Sequence, residues 1–482
     1  MHLNMLIRRR FFVYIQVAIL FLVALYLLVR HDKLTVPASW GQPNAAGGGE
    51  GKDGKESHQT DASPNPTETS PSDEESSPSP TPTPTPTKEE LTTKGRTFMP
   101  AILDPNNTSI GRMFCPPINE TRYAYLKASH WERKHKYFFA LNLRQCVDLL
   151  PRLIGSLVET IRFLGPESCA VSIVEGNSGD GTLEVLQLLE HEFQRMGVLY
   201  YLRSATLNPS AGNRIQKLAM LRAMALSPVT GLYIPDIDPD SPSFPSTPST
   251  VPQLPLTDDA TVLFSNDVAA CAEDFLELLH QRSLQKADMS CAMDWTHPGP
   301  NPLFYDVWVS RALNGDLFFD IPPDTGSWDN AESLFWNEPV ARSRLQAKKP
   351  FQVFACWNGA VAFTAAPLVK NEVGFRAAKG KECFQGEPQL FCKDMWFKGY
   401  GKIMVVPSVN LEYTDKMGRQ VKKELGYVSD TVAAEGEVVN GTVGLMVPWQ
   451  LEAPEMVKCM PTFNLQSWMA WNESLPLEGG GV

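Results

Sequence analysis

From Lys136 to Asp294 the chain alternates short apolar runs with amphipathic stretches, and this rhythm restricts it to few folds. Lys136–Leu143 (KYFFALNL), Cys169–Val174 (CAVSIV) and Val198–Leu202 read as strands. Cys146–Leu164, Thr182–Met196 and Asn213–Leu226 carry helical spacing between and after them. Strands that alternate with helices imply an α/β domain, with a mostly parallel central sheet covered on both faces. Thr261–Phe264 and Met289–Asp294 predict two more strands, with Ala269–Lys286 a helix between them. After Trp295 the pattern loosens into loops rich in Trp, Pro and Gly.

The stretch Thr261–Ala270 (TVLFSNDVAA) organises the rest. Four β-branched or bulky residues form a buried strand, which stops at Ser265-Asn266-Asp267. Ligands of open α/β sheets bind outside the carboxyl ends of the strands. A hard carboxylate there suits a divalent cation carrying a phosphorylated ligand. The plainer reading is that Asn266 and Asp267 cap the following helix.

Composition narrows the function. The 482 residues hold one large or two ordinary domains, and a net charge of −11 argues against a nucleic-acid binder. The nine cysteines contain no CxxC, so a structural zinc site is not expected, and their odd number leaves at least one thiol unpaired by intrachain bridges. Phe11–Val29 is apolar for nineteen residues, long enough to cross a bilayer as a transmembrane helix. Arg8, Arg9 and Arg10 precede it, which favours a cytosolic tail at residues 1–10 and a lumenal body. Pro37–Lys94 is Gly, Ser, Thr, Pro and acid, including Thr81–Thr87 (TPTPTPT), and reads as a disordered stalk. The stalk is expected to span residues 30–122, with folding from near Tyr123 and a C-terminal extension at 416–482. Sequons at Asn106, Asn107, Asn119, Asn440 and Asn472 offer N-glycosylation sites in this topology. Together these features describe a single-pass type II protein of the Golgi or endoplasmic reticulum membrane.

The second strand ends in VEGNSGDGT, Val174 to Thr182. Glu175 leaves its tip, and Asp180 and Thr182 sit where the next helix begins. Either is an ordinary cap. A carboxylate at such a tip also hydrogen-bonds a nucleoside's base or ribose. No GxGxxG follows, so a Rossmann dehydrogenase is disfavoured.

The turn VEGNSGDGT resembles the nucleotide-binding turn of GT-A glycosyltransferases. A closer similarity runs through LFSNDVAACAEDFLELL, SCAMDWT, FYDVWVSRALNGDLF, PFQVFACWNGAVAF, FRAAKGKECFQGEPQLFCKDMW and VVPSVNLEYTD. These blocks resemble glycosyltransferase family 69, the fungal family of the cryptococcal α-1,3-mannosyltransferase and capsule-associated proteins. The resemblance covers roughly residues 136–415. It implies a GT-A-type nucleotide-sugar-binding fold over residues 123–415, a GDP-mannose donor, a glycan acceptor, Mn²⁺ or Mg²⁺, and an α-1,3-linked product with retained configuration. Asp267 stands where that fold holds its metal, with Asn266 beside it.

Two features depart from the family pattern. A Pro-rich insertion at 229–259 carries the DxD matches Asp236-Ile237-Asp238 and Asp238-Pro239-Asp240. Its prolines cannot hold a sheet register, so these aspartates are expected on a surface loop and not at the metal. Pro388 directly follows Glu387, one of two candidate catalytic carboxylates with Asp394. A catalytically silent relative acting as a scaffold in polysaccharide or glycoprotein assembly is the alternative function this leaves open.

The other candidates carry two readings each. Asp294 ends a strand and either binds donor or sits in a turn. Arg311, expected on a helix with Trp308, either offsets diphosphate charge or pairs with Asp306. Trp357 and Asn358 form either an acceptor wall or a buried Trp followed by an Asn-Gly turn. Cys383 and Cys392 flank Glu387 at a spacing a loop disulfide closes.

Overall fold

The computed structural model describes residues 86–127, 134–437 and 446–476. Phe11–Val29, the Thr- and Pro-rich segment up to Thr85, and Asn440 lie outside these residues. Among the described residues no helix is long and apolar enough to cross a membrane.

The architecture is a mixed α/β sheet with a parallel half. Strands β1 (His135–Leu143), β2 (Cys169–Glu175), β3 (Leu199–Ser204) and β4 (Leu256–Ser265) run parallel in the order β3-β2-β1-β4. The second half adds β5 (Met289–Thr296), β6 (Phe351–Ala355), β7 (Ala360–Thr364) and β8 (Ile403–Leu411). There β7 inserts antiparallel between β4 and β5, while β8 pairs parallel with β5.

Side-chain alternation along the strands feeds two cores. On β1, Phe138 and Ala140 point to one face, Tyr137, Phe139 and Leu141 to the other. Helices α2 (Leu150–Leu164), α3 (Thr182–Met196) and α5 (Ala272–Leu284) cover the second face. The first is covered by α4 (Arg214–Thr230) and α6 (Glu387–Phe397). The strand and helix expectations from Lys136 to Asp294 hold to within a few residues, because burial on both faces writes unbroken apolar runs.

Folding begins earlier than Tyr123. Helix α1, Lys88–Leu103, starts at a capping box between Thr87 and Glu90. It lays Gly95 against Val185 and Leu188 of α3, where an added Cβ would come within 3.2 and 3.3 Å. Arg112 then binds the carbonyls of Ala101, Pro151, Asp104 and Pro105. Gly95 and Pro100 inside α1, and its weak amphipathicity, hide the helix from a periodicity reading. At the other end, α7 (Asp415–Leu425) and a hairpin of β9 (Met456–Thr462) and β10 (Leu465–Ala470) also fold onto the domain. Lys422 of α7 forms a fully buried pair with Asp274 at 2.7 Å.

The disulfides are Cys115–Cys271, Cys291–Cys356 and Cys383–Cys459. The expected Cys383–Cys392 bridge is therefore incorrect. Cys392 lies on the buried side of α6 with a free thiol, while Cys383 reaches β9, 76 residues away in sequence. Cys146 and Cys169 are also free.

Between the end of α4 and the start of β4 the Pro-rich segment pairs only Leu232–Tyr233 with Ser249–Thr250 and is largely exposed, while its last residues, from Leu256, belong to β4. It is moored at its base. Asp236 accepts hydrogen bonds from the Thr206 amide and hydroxyl and the Leu207 amide, and Asp238 pairs with the buried Lys217 at 2.6 Å. These aspartates are thus taken up by the protein's own donors.

Candidate active site

The end of β4 builds the site. The Val268 amide donates to the Asn266 carbonyl (3.0 Å), the Asn266 amide to Gly359 (2.8 Å), and the Ala269 amide to Glu412 (2.7 Å). These bonds turn the chain sharply and project Asp267 from the strand tip. Helix α5 starts only at Ala272 and is capped by Asp274, whose side chain accepts from the Cys271 amide at 2.8 Å. Asp267 is therefore not its cap. No side-chain hydrogen bond reaches the Asp267 carboxylate among the described residues. Desolvation raises its pKa to about 6, only partly opposed by a hydrogen bond from its own backbone amide and then by the charge of Arg222.

Arg222, on α4, joins Asp267's neighbours. Its Nε donates to Glu387 Oε1 at 2.7 Å and its Nη1 to Asn266 Oδ1 at 3.3 Å. The guanidinium lies 4.6 Å from the Trp357 ring, 5.4 Å from Phe264 and 5.7 Å from Phe375. This aromatic cage fixes the fork's plane, so two polar groups from separate elements share one cation. The sequence reading missed Arg222. A signal was present: it stands in LAMLRAMAL, where an arginine flanked by apolar residues on every side must be at least partly buried.

Glu387 opens α6, with Gly386 at the cap. Pro388 occupies the first turn, where a missing amide hydrogen costs nothing. The proline that departs from the family pattern thus starts the helix and leaves Glu387 facing Arg222. Asp394, two turns on, is bound by Arg376 through both its oxygens at 2.6 and 2.7 Å. The structure joins it to an ion-pair network with Glu382 and Lys393, not to Asp267.

Other carboxylates crowd the second half of the sheet. Asp294, at the end of β5, is fully buried and accepts from the Tyr413 hydroxyl at 2.5 Å. Desolvation, then the charge of Asp306, holds its pKa well above the ordinary range. Asp306 accepts from the Asn358 amide at 2.9 Å, and burial pushes its pKa up to about 6, with Arg222 opposing and Glu387 adding to the rise.

The donor-side residues are braced. Glu175 is buried and accepts from the Ser178 amide (2.7 Å) and the Ser204 hydroxyl (3.0 Å). Asp180 accepts from Thr182 and from the Val147 amide. Both carboxylates shape the turn after β2. The charges of Asp267 and Asp180 both act on the Cys146 thiol, whose pKa burial chiefly raises.

The expectation for Arg311 changes, and at Trp357 and Asn358 the structure shows the second of the two readings, a buried Trp followed by an Asn-Gly turn. Arg311 is not on a helix but in a two-residue strand; it is fully buried and donates to the carbonyls of Lys458, Val307, Trp308 and Ser310. It pairs with neither a diphosphate site nor Asp306, because β9 closes over it. Trp357 is buried with its Nε1 on Asn266 Oδ1, forming the floor under Arg222 and not an open wall. Asn358 and Gly359, with φ of 55° and 83°, make the tight turn into β7, and the Asn358 side chain is spent on Ser310 and Ala292. Of the sequons, Asn106, Asn119 and Asn472 are exposed and Asn107 is half-buried.

The chain is similar to several known proteins. The family described as Cryptococcal mannosyltransferase 1 matches residues 136–394. The α-1,3-mannosyltransferase CMT1 of Cryptococcus neoformans is 32% identical over 392 residues, covering 78% of this chain and 76% of that protein. Among solved structures, Staphylococcus aureus TarS 1–349 aligns at 12% identity and a TM-score of 0.31, covering 64% of this chain and 67% of that one. Mannosyltransferase PcManGT of Pyrobaculum calidifontis, in complex with GDP-Man and Mn²⁺, aligns at 10% identity and a TM-score of 0.30, covering 67% and 68%.

Proposed function

Because the chain belongs to the Cryptococcal mannosyltransferase 1 family and is thereby a glycosyltransferase, we propose that it moves mannose from GDP-mannose to a glycan hydroxyl, forming an α-1,3 linkage on a GT-A-type fold. The observation that carries this reading is the Asp267 carboxylate, projected from a strand tip, reached by no side-chain donor among the described residues, and set beside the Asn266–Arg222–Glu387 chain.

Charge explains why a divalent cation, Mn²⁺ or Mg²⁺, belongs here. Asp267, Asp306 and Glu387 gather around the single cation Arg222, with Asp294 next to Asp306, so an anionic diphosphate here meets net negative charge. Such a ligand is repelled unless a cation intervenes. No group of three His, Cys, Asp or Glu side chains assembles among the described residues. Asp267 fits as a single hard ligand, with phosphate oxygens and water completing the shell. Bound there, the cation would stabilise negative charge on the departing GDP.

The protein's own groups do the rest. Breaking the C1–O bond leaves positive charge on the sugar, and Glu387, held in place by Arg222, is the carboxylate placed to stabilise it. Glu175 and Asp180 hold the turn against which the nucleoside rests. Retention of the α configuration allows the leaving phosphate to accept the acceptor's proton. A type II topology with a lumenal body is part of this proposal, and the three disulfides support it.

The test is GDP release. The full-length chain in detergent, given GDP-mannose, Mn²⁺ and an α-mannoside, should release GDP and extend the mannoside. Glu387→Gln should slow this by roughly a hundredfold or more. A chain that binds the mannoside yet neither releases GDP nor extends it refutes the reading.

A further inference from the structure

The buried Trp357 leaves the acceptor without an aromatic surface, and another residue supplies one. Tyr305 is 42% exposed although it lies beside the acidic cluster. Its ring rests on Tyr413 at 4.9 Å, Tyr413 is anchored to Asp294 at 2.5 Å, and the Tyr305 amide donates to the Asp294 carbonyl at 3.1 Å. The ring is thus braced from beneath and open above. Partial burial, then the charges of Asp306, Asp294 and Asp267, raise the pKa of its phenol.

We propose that Tyr305 and Asp306 form the acceptor-sugar subsite, Tyr305 stacking on the apolar face of a pyranose and Asp306 accepting from its hydroxyls. This rests on the transferase reading above. A hexose presents one face of C–H groups and an equator of hydroxyl donors, so a fixed aromatic next to a carboxylate recognises it. Asp306 gives one oxygen to the Asn358 amide, and no hydrogen bond from the described residues reaches the other. It also lies near Glu387 and Arg222, whose charges act on it.

Topology separates this subsite from the nucleotide. The turn after β2 lies in the parallel half of the sheet, whereas Tyr305 and Asp306 follow β5, two strands beyond β4 on the other side. Asp267 stands between the two halves. A donor on the first half therefore presents its transferred sugar towards Tyr305.

The experiment compares full-length wild type, Tyr305→Ala, Tyr305→Phe and Tyr305→Trp, with methyl α-mannoside as acceptor probe. Tyr305→Ala should raise the KM for the mannoside about tenfold, the worth of one aromatic stack. The KM for GDP-mannose and the slow hydrolysis of GDP-mannose in water should stay within roughly twofold. Phe and Trp should restore mannoside KM, which a merely structural loss would not allow. A rise in KM for GDP-mannose with mannoside KM unchanged would show a base-stacking role and overturn the proposal. So would an unchanged mannoside KM in Tyr305→Ala. If wild type neither hydrolyses GDP-mannose nor transfers, the underlying reading falls and the subsite with it; if wild type transfers, only the subsite is at stake.

Discussion

Replacing Asp267 by Asn should make the metal-free protein more stable while abolishing its chemistry. Burial raises the Asp267 pKa from 3.8 to about 6. The folded protein therefore binds this proton more tightly than the unfolded chain does. Stability from this group falls as pH rises: the penalty is absent below 3.8 and complete above about 6. A difference of about two units, at about 1.4 kcal/mol each, gives about 3 kcal/mol at neutral pH. Asparagine keeps the shape and carries no charge, so it removes that penalty. In EDTA-stripped protein at pH 7.5, Asp267→Asn should raise the Tm by roughly 5 °C. The gap should close as the pH is lowered towards 4, where wild-type Asp267 is itself neutral. Added Mn²⁺ should raise the Tm of wild type and leave the variant unmoved. Turnover of the variant should fall by roughly a hundredfold or more. A metal-free variant less stable than wild type at pH 7.5 would refute the argument, since it would mean the carboxylate is stabilised by partners and not stranded.

Two further outcomes follow from the fold. Tryptic mapping without reduction should link Cys383 to Cys459 and recover Cys392 as an alkylatable thiol once the chain is unfolded. Cys459→Ser should cost roughly 2–5 kcal/mol, read from urea unfolding, while Cys392→Ala should cost less. In the Pro-rich segment, deletion of Ser243–Pro248 should leave Tm and turnover within error. Asp236→Ala, which strands three donors, should lower stability by about 1–3 kcal/mol.

The sheet was legible because its information is local. KYFFALNL, CAVSIV and TVLF are each buried on both faces, so each declares itself within a few residues. Asp267 was legible for the same reason, standing where such a run ends. Arg311 was not. Its neighbours Val307, Val309 and Ala312 are apolar at spacings a helix also permits, and only β9, about 150 residues later, decides that it is a buried strand residue. The disulfides failed equally: Cys383 finds its partner by tertiary folding, and the nearby Cys392 is turned away by the α6 helix. At Trp357 the sequence left two readings open, and the structure shows the buried one. A tryptophan followed by Asn-Gly looks the same whether it walls a cleft or floors one.

Helix α4 carries two attachments five residues apart, Lys217 to the insertion and Arg222 to the site. At 1.5 Å per residue they are separated by about 7.5 Å along one rigid rod. Everything between Asp238 and Ser249 can be lengthened, shortened or exchanged for a tag or a binding loop without altering that rod. Asp236 and Asp238 cannot be exchanged so freely, because Asp236 holds the Thr206 and Leu207 backbone and Asp238 holds Lys217 of α4. The segment is thus a natural graft point with a fixed socket.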